Sequence, residues 1–466
     1  MAAKFGTSGL RGLATELSGE VSVQYTRAFL QHLRHKKAIF LGDEVFVAQD
    51  FRASSPALFE KVCEGIAAEG MIARMFGKVP TQALAFEAMS KKCACVMITG
   101  SHIPADRNGL KFYRPDGEID KSDEDAIIER VAKIKPVPSA DGKVLVGKID
   151  GFEARYRSAF GPEILKGWRV GVYQHSSVAR DLLVDLLSSA GAMVTGLGRS
   201  ESFIPVDTEA VSLETTAMLR QWAAGGIYDA IVSADGDGDR PLVADENGYV
   251  MRGDQLGLIT ARFLGAKTIV TPVTSNSGID QYLRGGTLRT RVGSPYVIAE
   301  MIRAKKQGEK SIVGFEANGG FFTASRFKIN QVDLSPLPTR DCFLPIFAVL
   351  ASAVKAGMTL STLANHYCLP VALSGRLENC SVEASAKLMS RLISSRTAQD
   401  NFFAPLGKIE SRNLIDGLRV KFVDGKIVHL RPSGNAPEFR CYVEASNQIA
   451  AANLLKRAHE MIAAEL

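Results

Sequence analysis

Short β-rich apolar runs alternate with helix-forming stretches along most of this chain, and that rhythm constrains its fold more than any other feature. Val45-Phe-Val-Ala48 reads as a buried strand. Ser54-Ser-Pro56 then opens a helix to about Glu69, with serine as N-cap and proline in the first turn. Cys93 to Thr99 is a further strand, and Pro136-Val-Pro138 has the turn-forming residues of a linker. A second unit follows, with strands at Trp168 to Tyr173, near Met193 and at Ala230 to Ser233, and a helix around Val178 to Leu187. A third has strands at Thr268 to Thr271 and Ser311 to Gly314, with a helix start at Ser277 to Tyr282. Strand–helix–strand units of this kind predict α/β layers with mostly parallel sheets. After about residue 370 the texture changes. Leu418 to Phe422 and Lys426 to Leu430 flank Val423-Asp-Gly425, a hairpin signal. A strand at Phe439 to Val443 and a helix from about Gln448 to Leu466 complete an antiparallel α+β unit.

Length and composition set the outer limits. The 466 residues suggest roughly three or four domains, and 46% apolar residues exclude disorder as the main theme. The 56 basic and 50 acidic residues are well mixed, so no nucleic-acid-binding stripe is indicated, while the net charge of +6 favours small anionic substrates. Seven scattered cysteines without a CxxC pair exclude a disulfide framework and a zinc knuckle. Cys93 and Cys95 alternate on their strand and are expected as buried small hydrophobes. No apolar signal region opens the sequence. The longest apolar run, Cys342 to Val354, is interrupted by Pro345 and falls short of the about 20 residues that span a bilayer. The expectation is a cytoplasmic protein with no membrane and no nucleic-acid partner.

Each unit ends a strand with a polar loop, where ligands sit in open α/β sheets. In Thr99-Gly-Ser-His-Ile-Pro104 the glycine is expected to permit a sharp turn at Ser101. A lone serine is ordinarily a cap or turn residue, and His102 a hydrogen-bonded one. Ser101 becomes a nucleophile or phosphate carrier only with activating, charge-neutralising partners. Asp235-Gly-Asp-Gly-Asp-Arg240 supplies candidates. Three carboxylates so close repel one another, and oxygen-only ligands suit a hard cation, Mg²⁺ rather than Zn²⁺. A calcium loop would need a glutamate at its twelfth position, which is Glu246, but strands rather than helices flank this loop. Gly314-Phe-Glu-Ala-Asn-Gly-Gly320 offers Glu316 and Asn318 to vicinal sugar hydroxyls, or is an ordinary β-turn. In Arg431-Pro-Ser-Gly-Asn-Ala-Pro-Glu-Phe-Arg440, two arginines flank a Ser-Gly-Asn turn that is either an anion cradle or a charged hairpin. No P-loop, kinase or Rossmann motif is present. Together the loops point to phosphoryl transfer on a phosphorylated small polyol, without a nucleotide.

Four segments, Phe5 to Gly12, Thr99 to Pro104, Asp235 to Arg240 and Arg431 to Asn435, resemble the α-D-phosphohexomutases of the phosphomannomutase/phosphoglucomutase branch, in the family's order. The resemblance implies four domains around a central cleft, three α/β mixed-sheet units and a smaller C-terminal α+β domain. The boundaries are expected at 1–140, 141–250, 251–370 and 371–466. It implies a phosphoryl group on Ser101, and Mg²⁺ held by Ser101, Asp235, Asp237 and Asp239. Arg11, His102, Lys111 and Arg240 would surround the transferring phosphoryl. Glu316 and Asn318 would read sugar hydroxyls, and Arg431, Ser433, Gly434, Asn435 and Arg440 would hold the phosphate that is not reacting. The implied reaction interconverts hexose 1- and 6-phosphates through a 1,6-bisphosphate, which also serves as activator. Mannose phosphate is the first choice of substrate and glucose phosphate the second, in a monomer or homodimer. A metal-dependent sugar phosphatase and a non-catalytic sensor are the readings from other classes. The chain departs from the pattern of many relatives where Asn318 replaces serine and Gly320 replaces histidine, Arg291-Val-Gly-Ser294 lacks a histidine that some relatives carry, and Asn435-Ala436 replaces the usual Thr-Glu.

Overall fold

The structure is a computed structural model that describes residues 3–6, 8–135, 142–282, 286–432 and 438–466. The expected linker at Pro136 to Pro138 lies outside these residues. The chain divides into two compact units, Met1–Ile269 with Gly293–His366, and Val270–Val292 with Tyr367–Leu466.

In the first unit, one sheet runs in the order Lys4–Phe5, Leu10–Leu13, Arg107–Arg114, Ala94–Ile98, Glu44–Gln49, Ile72–Gly77, Val144–Val146, with Gly117–Glu118 paired to Arg107–Arg114. Glu44–Gln49 is buried on both faces. Val45 and Val47 pack under helices Ser22–His35 and Ser55–Ala68, while Phe46 and Ala48 pack against helix Thr81–Ser90. That two-sided burial explains the continuous apolar run in the sequence. Ala94–Ile98 lies between parallel Glu44–Gln49 and antiparallel Arg107–Arg114. The loop that follows it therefore leaves the sheet where strand direction changes. A second sheet runs Met193–Arg199, Arg169–His175, Ala230–Ala234, Pro241–Ala244, the last pair antiparallel. Strands Ile312–Phe315, Phe321–Thr323 and Leu337–Asp341 form an antiparallel run. The sheets are thus mixed rather than mostly parallel: tight returns after the polar loops replace helical crossovers.

Pro345 does not interrupt its segment. It sits in the first turn of helix Phe343–Ala356, where its missing N–H costs nothing, and the helix is buried in the first unit. No single described helix is long and apolar enough to cross a membrane. Cys95 is buried as expected, but Cys93 precedes the strand and is only partly covered.

In the second unit, five antiparallel strands run Val371–Glu378, Glu438–Ala445, Ile427–Pro432, Leu418–Phe422, Ile409–Asn413. Leu418, Val420, Leu430, Phe439 and Cys441 line its core with Leu388, Leu392, Phe403 and Leu454 from the helices. Ser277–Tyr282 forms a 3₁₀ helix rather than opening an α-helix. Asn276 Oδ1 accepts from the Gly278 N–H, and Glu444 accepts from the Ser277 N–H, which fixes the first turn in the tighter form.

Candidate active site

The serine loop is held from beneath by an arginine. Arg52 donates to the carbonyls of Ser101 (3.0 Å), Ile103 (2.6 Å), Pro104 (2.6 Å) and Arg107 (2.9 Å), and its Nε donates to Asp50 at 3.2 Å. Asp50 also accepts from Thr99 Oγ1 at 2.8 Å, and Thr99 Oγ1 accepts from the Ser101 N–H at 2.7 Å. Gly100 serves a purpose other than the expected sharp turn. A Cβ there would lie 2.5 Å from Arg52 Cζ, so glycine admits the guanidinium. The positive φ of 54° falls on Ser101 itself. A non-glycine residue in that region is strained, and its neighbours over-determine it here.

The Ser101 hydroxyl donates to Asp235 Oδ2 at 2.6 Å and lies 3.2 Å from His102 Nδ1. Asp235, Asp237 and Asp239 are buried, and each offers an oxygen within 4.8 Å of the others. Gly236 has no room for a side chain because a Cβ would sit 2.7 Å from the Ser101 carbonyl oxygen. Asp235 Oδ1 accepts from the N–H groups of Asp239 (3.1 Å) and Arg240 (3.2 Å). Asp237 Oδ2 accepts from Thr81 Oγ1 at 2.6 Å, and Lys111 donates to both Asp237 and Asp239. Asp237 Oδ1 and Asp239 Oδ1 are buried without a hydrogen-bond partner. Such orphaned anionic oxygens fit a bound cation. Glu246 is no part of this group; it accepts from the Ser361 N–H at 3.2 Å and from the Ser361 hydroxyl.

Charge in this pocket is closely matched. Burial, then Asp237 and Asp239, push the Asp235 carboxyl well above the usual carboxylate range. Burial also opposes ionisation of Asp237, but Lys111, Thr81 and Arg11 outweigh it and hold that carboxyl below the range. For Lys111 burial opposes the charge, and Asp237 and Asp239 more than offset it. Burial and then Arg240 push His102 down to about 3, which leaves its ring neutral near pH 7. Arg11 donates to the Gly100 carbonyl, and burial lowers its guanidinium to about 10. Arg240 Nε lies 3.8 Å from Asp239 and 4.0 Å from Asp235.

The first unit also holds the third loop. Glu316 accepts from Arg340 Nε at 2.6 Å, and the loop closes through the Gly319 N–H to the Glu316 carbonyl at 2.9 Å. Asn318 Oδ1 accepts from the Gly320 N–H at 3.0 Å, and its carbonyl accepts from Thr208 Oγ1 at 2.9 Å. Ser294 donates to Glu118 at 2.9 Å. Arg52, Thr81, Thr208 and Arg340 were invisible to motif reading, since each acts on a loop far away in the chain.

In the second unit, Arg431 and Arg440 are register partners on adjacent antiparallel strands, and Arg440 is in turn opposite Arg376. Three arginines in a row across a sheet repel unless anions intervene. Arg431 Nε donates to Asp416 at 3.0 Å, Arg440 lies 3.6 Å from Glu438, and Arg376 Nε lies 3.0 Å from Glu378. Ser433, Gly434 and Asn435 lie outside the described residues.

Comparison with known proteins bears on the chemistry. Three domain models of the phosphoglucomutase/phosphomannomutase family match: alpha/beta/alpha domain I over residues 2–137, alpha/beta/alpha domain III over 252–368 and the C-terminal domain over 377–461. A phosphomannomutase of Sinorhizobium fredii is 49% identical over 98% of each chain. A phosphomannomutase of Salmonella muenchen is 41% identical over 97% of this chain and 94% of its own. The crystal structure of a phosphoglucomutase/phosphomannomutase family protein from Burkholderia thailandensis superposes with a TM-score of 0.77 at 20% identity, over 98% of this chain and 97% of that one.

Proposed function

Because the chain belongs to the phosphoglucomutase/phosphomannomutase family, we propose that it is a phosphohexomutase that interconverts mannose 1-phosphate and mannose 6-phosphate through a phosphorylated Ser101. The observation that carries this reading is the Ser101 hydroxyl 2.6 Å from Asp235, inside one buried group of carboxylates and cations. Ser101, Asp235, Asp237 and Asp239 would hold Mg²⁺, which when bound neutralises the carboxylates and draws charge from the phosphoryl oxygens.

The bond from phosphorus to Ser101 Oγ breaks as one forms to the free hydroxyl of the hexose phosphate, and the proton that hydroxyl loses ends on the released Ser101 oxygen. The resulting 1,6-bisphosphate returns its other phosphoryl group to Ser101 after reorientation, and added bisphosphate recharges dephosphorylated enzyme. Arg11, Lys111 and Arg240 stabilise the equatorial oxygens, where electrostatic positioning supplies most of the catalysis. His102 orients the serine oxygen. Glu316 and Asn318 bind hydroxyls, and the loop with Arg431, Ser433, Gly434, Asn435 and Arg440 binds the non-reacting phosphate. The four-domain division at 140, 250 and 370 belongs to this reading, and the three family matches support it. Mannose is preferred over glucose because the similar proteins of Sinorhizobium fredii and Salmonella muenchen are phosphomannomutases.

The test is a coupled assay on mannose 1-phosphate, glucose 1-phosphate and glucosamine 1-phosphate with a hexose 1,6-bisphosphate present. Mannose 1-phosphate should give the highest kcat/KM, Ser101→Ala should lose at least about 10³-fold, and phosphate should map to Ser101. Net release of inorganic phosphate at the rate of substrate loss would make the protein a phosphatase instead.

A further inference from the structure

Strand Leu337–Asp341 carries a cation into the centre of the first unit. The Arg340 side chain is 2% exposed, its Nε donates to Glu316 Oε2 at 2.6 Å, and its Nη1 lies 3.8 Å from Asp239 Oδ2. One guanidinium therefore joins the carboxylate of the third loop to a carboxylate of the candidate metal loop. Its seat depends on position 320. A Cβ on Gly320 would lie 2.7 Å from Arg340 Cδ and 2.8 Å from Cγ, well inside contact distance. The glycine is not needed for a left-handed turn, since the positive φ of 89° belongs to Gly319. Gly320 is thus explained by the arginine stem that fills the space its side chain would take.

The surroundings are built for the same group. Glu118 accepts from Ser294 Oγ at 2.9 Å and from Thr339 Oγ1 at 2.7 Å, and these bonds lock it in the wall beside Arg340. Burial disfavours the Arg340 charge, but Glu316, Asp239 and Glu118 outweigh that effect. A buried guanidinium among carboxylates is costly to assemble, and truncating either partner leaves an unpaired charge. Position 320 is where the family pattern has histidine, so a fixed cation approaches the loop from a neighbouring strand in place of a ring carried by the loop itself.

We propose that Arg340 is a positioning residue for sugar recognition: seated in the space opened by Gly320, it holds one oxygen of Glu316 so that the other accepts from the hexose hydroxyls. The assignment rests on the reading of Glu316 as a sugar-binding residue in a phosphohexomutase. A guanidinium fixes the direction of its partner through a planar fork, whereas an ammonium is a point charge on a flexible stem.

The experiment compares kcat, KM and melting temperature for wild type, Arg340→Lys, Glu316→Gln and the double variant, with mannose 1-phosphate and saturating bisphosphate. Arg340→Lys should raise KM about tenfold or more with little loss of melting temperature. In the Glu316→Gln background the same change should raise it less than about threefold, because the partner it positions is already impaired. Gly320→Ala should lower the melting temperature alone and lower it less beside Arg340→Ala. Should the lysine variant not fold, equal KM values for Glu316→Gln and for Glu316→Gln/Arg340→Gln carry the same support. Multiplicative losses, or a KM unchanged by Arg340→Lys, would overturn the role of Arg340 while the mutase function stands. A wild-type protein without turnover on any hexose phosphate would overturn both.

Discussion

Asp237 shows how much the individual atoms of this site decide. Its Oδ2 is committed to Thr81 and Lys111, whereas its Oδ1 is buried and unpartnered. Lys111, Arg11, Arg240 and Arg340 surround the three carboxylates, yet the Oδ1 atoms of Asp237 and Asp239 accept no hydrogen bond. A hard divalent cation would use those two oxygens. Asp237→Asn keeps the shape and the Thr81 contact but removes one anionic ligand. Its Mg²⁺ affinity, read by titration calorimetry, should fall at least about tenfold, and chelator should abolish activity that Mg²⁺ restores. An unchanged Mg²⁺ affinity would exclude Asp237 as a ligand. The residue types of this site were legible in the sequence, because Asp235, Asp237 and Asp239 fall within five residues and their chemistry is local. The resemblance placed Lys111 beside the phosphoryl group, but its direct pairing with Asp237 and Asp239 was not legible, since it lies on a strand more than a hundred residues earlier.

Among the elements, the serine loop depends on the end of strand Glu44–Gln49 more than on its own sequence. Arg52 closes four loop carbonyls and pairs with buried Asp50, and Gly100 exists to let it in. Arg52→Lys keeps a charge near Asp50 but cannot span those carbonyls. The expected cost is about 2–3 kcal/mol of stability, seen in denaturant unfolding, because hydrogen bonds to charged groups are lost and carbonyls are left buried. Displacing Ser101 by even an ångström should also lower kcat about a hundredfold. A kcat within twofold of wild type would mean that the loop holds its shape without this arginine. Strand and helix positions were readable locally, Glu44–Gln49 from its continuous apolar run and Ser55–Ala68 from the Ser54-Ser-Pro56 start, because burial and capping act on contiguous residues. Sheet direction was not, since nothing in Ala94–Ile98 records that its neighbour Arg107–Arg114 runs the other way. Arg340 illustrates the same limit, for its role depends on a glycine in another strand's loop.

Across the whole molecule, the residues of the proposed mutase site are divided between two compact units. The first holds Ser101, the aspartates and Glu316, and the second holds Arg431 and Arg440. Their order along the chain was legible because each loop is a contiguous motif. The pairing of Arg431 with Arg440, and of Arg440 with Arg376, follows only from strand register. A mutase places a separate demand on the second unit. Its bisphosphate intermediate must bind in both orientations, so one phosphate cradle has to serve the 1-phosphate in one half-reaction and the 6-phosphate in the other. Arg431→Lys preserves charge but loses the planar fork, and Asp416, which now accepts from Arg431 Nε at 3.0 Å, loses a directional partner. The loss of one charge-assisted hydrogen bond, about 1.5–3 kcal/mol, corresponds to roughly a ten- to hundredfold fall in kcat/KM. The equilibrium constant ties the forward and reverse kcat/KM values, so one direction suffices to read the fall, and phosphorylation of Ser101 by hexose 1,6-bisphosphate should slow with it. Inorganic phosphate release from the phosphoenzyme in the absence of sugar should be unaffected, because no second phosphate is being held. A kcat/KM within twofold of wild type, or an unchanged rate of Ser101 phosphorylation by the bisphosphate, would exclude Arg431 from holding the phosphate that is not reacting.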